Sequence, residues 1–114
     1  MTTIANLPFS KVRRSGGTVY LSGELGFDAD GSLPAGIEAQ TRNCLQRIKA
    51  TLQAEGLDMA NVLSCTCYLT DKADFAAFNT TYAEFFADPK PVRTTVESGL
   101  MIDACVEITV IAEA

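Results

Sequence analysis

The sequence predicts an α+β fold in the order ββαβαββ, a mixed sheet carrying both helices on one face. Three observations predict it. Short stretches alternate with the period of a β-strand, two longer ones repeat at helical spacing, and each helical stretch lies between strands. A strand–helix–strand crossover is right-handed and packs back onto its own sheet, so both helices fall on the same side.

Ser10–Arg14 and Thr18–Ser22 read as the arms of a hairpin, because Ser15-Gly16-Gly17 between them supplies glycines able to take a positive φ. Gly23–Gly36 is punctuated by Gly23, Gly26, Asp30-Gly31 and Pro34 and reads as a turn-rich connection with at most a very short strand. From Ile37 to Glu55, the apolar residues Ile37, Cys44, Leu45, Ile48 and Leu52 share a helical face. Gln40, Arg42, Asn43, Gln46, Arg47 and Lys49 lie mostly opposite, and Gly56 is the stop. Val62–Thr70 reads as a two-faced strand, with Leu63, Cys65, Cys67 and Leu69 on one side and Val62, Ser64, Thr66 and Tyr68 on the other. A second helix opens at Asp71 or Lys72 and ends before Asp88-Pro89; its stripe of Phe75, Phe78, Tyr82 and Phe85 or Phe86 reads as core. The last strands are Val92–Ser98 and Cys105–Ala112, joined by Gly99–Ala104. In them Val92, Thr94 and Val96 oppose Arg93, Thr95 and Glu97, while Val106, Ile108 and Val110 oppose Cys105, Glu107 and Thr109.

Two helices cover only one face of such a sheet. The other is expected to carry Thr18, Tyr20, Ser22, Ser64, Thr66, Tyr68, Thr95, Glu107 and Thr109. Tyr20, Tyr68, Val62 and Ile111 give it more apolar area than a solvated face needs, which points to burial between copies of the chain.

At 114 residues, with no repeat or linker between Ile4 and Ala112, residues 1–114 are expected to form a single domain. A composition 47% hydrophobic and 20% charged supports a packed core. No run is long and apolar enough to span a membrane, and Met1–Ser10 has neither the basic start nor the apolar stretch of a secretory leader, so a cytoplasmic location is expected. The net charge of −5 repels RNA and anionic lipid, which argues against nucleic-acid and membrane partners. Cys44, Cys65, Cys67 and Cys105 fall inside apolar-patterned segments with no CxxC pair, and they read as buried reduced thiols. The chain has no histidine, which removes zinc sets that need one, Ser-His-Asp triads and Cys-His pairs. Acid–base chemistry then falls to carboxylates, water, backbone groups or the substrate itself.

Three positions stand out. Arg93 follows Pro91-Val92 at the start of a strand, and a guanidinium there suits either the carboxylate of a small acid or an ion pair with Glu97 or Glu107. Glu107 lies mid-strand, where a carboxylate needs a partner cation or a working role. Ser22-Gly23 ends a strand, where the glycine serves an ordinary turn or lets backbone approach a ligand closely.

Several segments taken in order resemble a known family. They are Pro8-Phe9-Ser10, Ser22-Gly23-Glu24, Ile37-Glu38-Ala39-Gln40-Thr41-Arg42, Tyr68-Leu69-Thr70-Asp71, Phe75-Ala76-Ala77-Phe78-Asn79 and Tyr82-Ala83-Glu84-Phe85-Phe86. Pro91-Val92-Arg93-Thr94-Thr95-Val96-Glu97, the most specific, and Val106-Glu107-Ile108 follow. The chain thus resembles the YjgF/YER057c/UK114 family, best known for Rid-type enamine/imine deaminases. The resemblance implies a chorismate-mutase-like fold, a homotrimer whose sheets line a central barrel, and ligand clefts between subunits. It also implies a hydrolase acting on C=N bonds, of the 2-iminobutanoate/2-iminopropanoate deaminase type, which converts 2-aminoacrylate-like compounds to 2-oxo acids and ammonia without metal or organic cofactor. By motif position Arg93 would hold the substrate carboxylate and Glu107 the attacking water. Phe9, Ser22, Gly23, Asn79 and Thr95 would line the ligand. Phe9 stands where many members have tyrosine, and Thr95 where many deaminases have cysteine. The readings that compete with a deaminase are a trimeric binder or sensor of small carboxylates, an endoribonuclease and a chaperone.

Overall fold

Gly16 takes φ 58°, a left-handed conformation that costs other residues energy, and Ser15 pairs with Thr18 across the resulting two-residue turn. That turn joins β1 (Val12–Ser15) to β2 (Thr18–Leu21) in a computed structural model describing residues 7–114. Residues 1–6, part of the Met1–Ser10 segment read above for a leader, lie outside the described residues. There follow β3 (Glu24–Leu25), α1 (Ile37–Ala54), β4 (Val62–Leu69), α2 (Phe75–Ala83), β5 (Val92–Glu97) and β6 (Val106–Glu113). The sheet runs β1-β2-β6-β4-β5, with β3 also paired to β6. β4 and β5 run parallel, and the other pairs are antiparallel. The expected order ββαβαββ is present, and the connection after the hairpin holds the short strand β3.

The core lies between the sheet and the helices. α1 buries Ile37, Cys44, Leu45, Ile48 and Leu52 in one cluster with Val19, Cys67, Val106, Ile108 and Val110 of the sheet. Each fully buried aliphatic side chain stabilises the fold by about 1.5–3 kcal/mol, so this face rather than helix propensity holds α1 in place. Gly56, at φ 79°, ends the helix by donating its N–H to the Gln53 carbonyl. The last turn of α1 has no basic residue of its own; Arg14 of β1 supplies the cation, donating to the Glu55 carboxylate at 3.0 Å and to its carbonyl at 2.6 Å. At the other end, buried Gln40 donates to the Pro34 carbonyl and accepts from the Cys105 N–H, both at 2.8 Å. Gly26 lies flat on this turn, and a methyl group there would stand 2.7 Å from the Gln40 Cα.

Three expectations need correction. The register of β4 against β6 slips between Val62 and Ser64, a bulge that turns Val62 into the core and leaves Leu63 51% exposed, the reverse of strict alternation. The second helix is shorter than its stripe suggested. A 3₁₀ turn over Lys72–Asp74 precedes it, and Phe85 and Phe86 lie beyond its end. Phe86 still joins Phe78 and Tyr82 in the core, whereas Phe75 is half exposed. Finally, Thr95 is not on the open face. In the parallel β4–β5 pair, Arg93 stands beside Cys65, Thr95 beside Cys67 and Glu97 beside Leu69, and those three β4 residues are core.

Candidate active site

Strand β5 is an edge strand, and its residues Arg93 and Thr95 face α2. On α2, Phe75, Phe78, Asn79 and Tyr82 fall at spacings of three, four and seven along one helical face, so they meet what projects from β5. The Arg93 guanidinium carbon stands 4.8 Å from the Tyr82 ring centroid, 5.4 Å from Phe78 and 5.7 Å from Phe75. Contacts of this kind contribute about 0.5–2 kcal/mol each, and here they seat a cation on the aromatic stripe that the sequence reading gave to the core alone. Nothing in the spacing of the phenylalanines distinguishes a ring that fills the core from one that also carries a cation on its face.

Among the described residues Arg93 forms no ion pair. The two carboxylates that sequence offered as its partners are placed elsewhere. Glu97 accepts a hydrogen bond from the Lys72 N–H at 2.8 Å, and Glu107 points to the opposite face of the sheet. A guanidinium held on apolar rings without a carboxylate of its own is a ready anchor for one that arrives. On one side of it Lys72, Phe75, Thr95 and Glu97 line a hollow of about 220 Å³. On the other, Asn79, Tyr82, Phe86 and Lys90 share with Arg93 a hollow of about 300 Å³.

Cys65 and Cys67 lie beside Arg93 and Thr95 in the sheet. Burial pushes both thiols up, Cys67 to about 12, so they are protonated near neutrality and poor nucleophiles despite their position. Burial also raises the Tyr82 phenol. The described cysteines are free, in keeping with the reduced thiols expected, and Cys105 alone is only partly buried.

The other expected residues gather on the opposite face, around β2, β3 and β6. Glu107 pairs in register with Leu25 and Tyr68, and its carboxylate lies over Gly23, where an added methyl group would stand 2.9 Å from the carboxyl carbon. Burial, and then the charge of Glu24, raise Glu107 above the ordinary carboxylate range. Glu24 itself is ion-paired with Arg47 of α1, which lies 5.7 Å from the Phe27 ring centroid. Ser22 uses its hydroxyl to donate to the Ser10 carbonyl at 2.6 Å, and its N–H donates to the Lys11 carbonyl at 3.0 Å. These bonds tether the segment of exposed Phe9 beside Gly23.

The expected site residues therefore form two groups. Arg93, Thr95 and Asn79 are on the helix side at the β5 edge; Phe9, Ser22, Gly23 and Glu107 are on the far side, two strands away. A substrate of a few carbons cannot reach both groups of one chain.

Two helices on a mixed sheet, with an arginine unpaired among the described residues at the parallel edge and a glutamate seated over a glycine on the opposite face, define an α+β protein. A family model described as Endoribonuclease L-PSP matches residues 2–114, and the chain belongs to this family, the YjgF/YER057c/UK114 family. It is 40% identical over 108 residues to a RutC family protein of Pyrococcus horikoshii, a match covering 92% of this chain and 86% of the relative. RidA from an Antarctic Psychrobacter shares the fold with a TM-score of 0.91 at 33% identity, over 96% of this chain and 90% of that one. E. coli TdcF, solved with bound serine, superposes with a TM-score of 0.89 at 31% identity, over 94% and 88% of the two chains.

Proposed function

We propose that the protein hydrolyses reactive 2-imino acids, formed from 2-aminoacrylate-like enamines, to 2-oxo acids and ammonia. The observation that carries this reading is Arg93, set on the rings of Phe75, Phe78 and Tyr82 with no carboxylate partner among the described residues. Its fork takes the substrate carboxylate, and Thr95, two residues along the same strand face, borders the neighbouring hollow. Water then adds to the C=N carbon, and the resulting carbinolamine collapses to the 2-oxo acid with loss of ammonia. Such imines hydrolyse unaided in water, so holding the substrate and one water in place accounts for the acceleration. Glu107, raised by burial, orients that water, takes its proton as the oxygen adds and returns it to the nitrogen that leaves as ammonia.

Because Arg93 and Glu107 face opposite sides of one sheet, the site in this reading is shared. Arg93, Thr95 and Asn79 of one copy meet Phe9, Ser22, Gly23 and Glu107 of the next, in a closed ring of three. The exposed Tyr20, Leu63, Val92 and Val96 give such contacts an apolar surface. A reading as a binder of small carboxylates without turnover is favoured by one observation, the serine bound to TdcF. An endoribonuclease fits less well, since the net charge of −5 repels RNA and no histidine is present.

The test is to generate 2-aminoacrylate in situ from serine with a pyridoxal-phosphate-dependent dehydratase and follow its loss. Wild type is expected to accelerate the loss and Arg93→Ala to abolish the acceleration. A folded wild type that binds pyruvate and gives no acceleration would favour the binder.

A further inference from the structure

Beside Arg93 the buried Asn79 Oδ1 has no hydrogen-bond partner among the described groups, whereas the Tyr82 and Thr95 hydroxyls lie against the Cys65 and Cys67 thiols. A buried oxygen left unpaired costs about 1–3 kcal/mol, and one placed beside a cation calls for an explanation. Asn79 Oδ1 can only accept, while the guanidinium can only donate, with five N–H groups in a fixed fork. Both line one hollow, and Asn79 sits on the α2 face that carries Arg93's aromatic seat. The Asn79 oxygen is closed off from the surface, so it acts on a ligand only through a group lying between them.

We infer that Arg93 has two seats, stacked on the α2 rings as in this structure and hydrogen-bonded from behind by the Asn79 Oδ1 when a carboxylate engages its fork. The inference rests on the reading of Arg93 as the carboxylate anchor. A bidentate carboxylate uses two of the five N–H groups and leaves others for Asn79. Stacking and the new bond are similar in strength, so the ligand decides between the seats. Asn79 is then a positioning residue that fixes the angle at which the fork meets the carboxylate, and it does not touch the substrate.

The test uses the intact protein and pyruvate, a carboxylate that stays ionised through the working pH range, in equilibrium binding by calorimetry. Asn79→Leu keeps the shape and removes the orphan oxygen, so the melting temperature is expected to hold or rise while pyruvate affinity falls about tenfold. Asn79→Asp puts a fixed anion behind Arg93 and is expected to weaken pyruvate at neutral pH, with recovery as the aspartate protonates. In wild type the Arg93 Nε–H proton resonance, shielded by the rings, is expected to move downfield on pyruvate loading. Pyruvate affinity within a factor of two of wild type in folded Asn79→Leu, or in Asn79→Asp at neutral pH, would overturn the inference. Arg93→Ala is the separate control: if it leaves pyruvate binding intact, the anchor reading itself has failed.

Discussion

At Gly23 the space that a side chain would occupy holds the Glu107 carboxylate, the movable end of a flexible group, and Gly23 has no positive φ to demand glycine. What a side chain at Gly23 would displace is therefore the Glu107 carboxylate of the proposed site and not the turn backbone. Gly23→Ala is expected to leave stability within about 1 kcal/mol and to cost about a hundredfold in imine hydrolysis, since it pushes the carboxylate aside. Circular dichroism and the deaminase assay would separate the two effects. Glu107 also makes a prediction about pH. Its folded pKa is raised, so the folded state holds its proton above the pH at which the unfolded chain, near the ordinary 4.5, has lost it. Stability is therefore lost as pH rises through that window. Glu107→Gln removes the loss, and its melting temperature should exceed wild type at pH 7 and match it well below 4.5. Arg93 and Glu107 were legible in sequence as residues in need of a partner. That neither would form an ion pair among the described residues was not, because ion pairing across a sheet depends on the face each side chain takes.

Strand and helix positions were legible where period and punctuation agree. The hairpin at Gly16, α1 with its stop at Gly56, and β6 follow their apolar patterns closely. The pattern failed at Val62 and Leu63, where a bulge exchanges the two faces, since period alone carries no sign of a one-residue slip. It failed again at Thr95, which was put on the open face. An exposed edge strand has polar residues on both sides, and its parallel register to β4 alone decides which side faces the helices. The lock between α1 and the sheet gives a prediction of its own. Gly26→Ala would drive a methyl group into the Gln40 backbone, which has no side-chain freedom to move away. It is expected to cost about 3 kcal/mol, measured by urea denaturation, in contrast to the small cost at Gly23.

The molecule as a whole holds the two groups of proposed site residues on opposite faces of one sheet, at an edge and near the middle. In the proposed reaction a site divided in this way works only if copies associate, each copy then contributing both halves to different sites. Mixing folded Arg93→Ala and Glu107→Gln chains, each inactive alone, tests this directly. After joint refolding at equal amounts, a site needs an intact Arg93 from one chain and an intact Glu107 from its neighbour, so about a quarter of wild-type deaminase activity should return in a cyclic assembly. Recovery near that level would establish a hydrolytic site made by two chains. If the mixture stays as inactive as its components while the wild type turns over, both residues act from the same chain and the shared-site account is wrong.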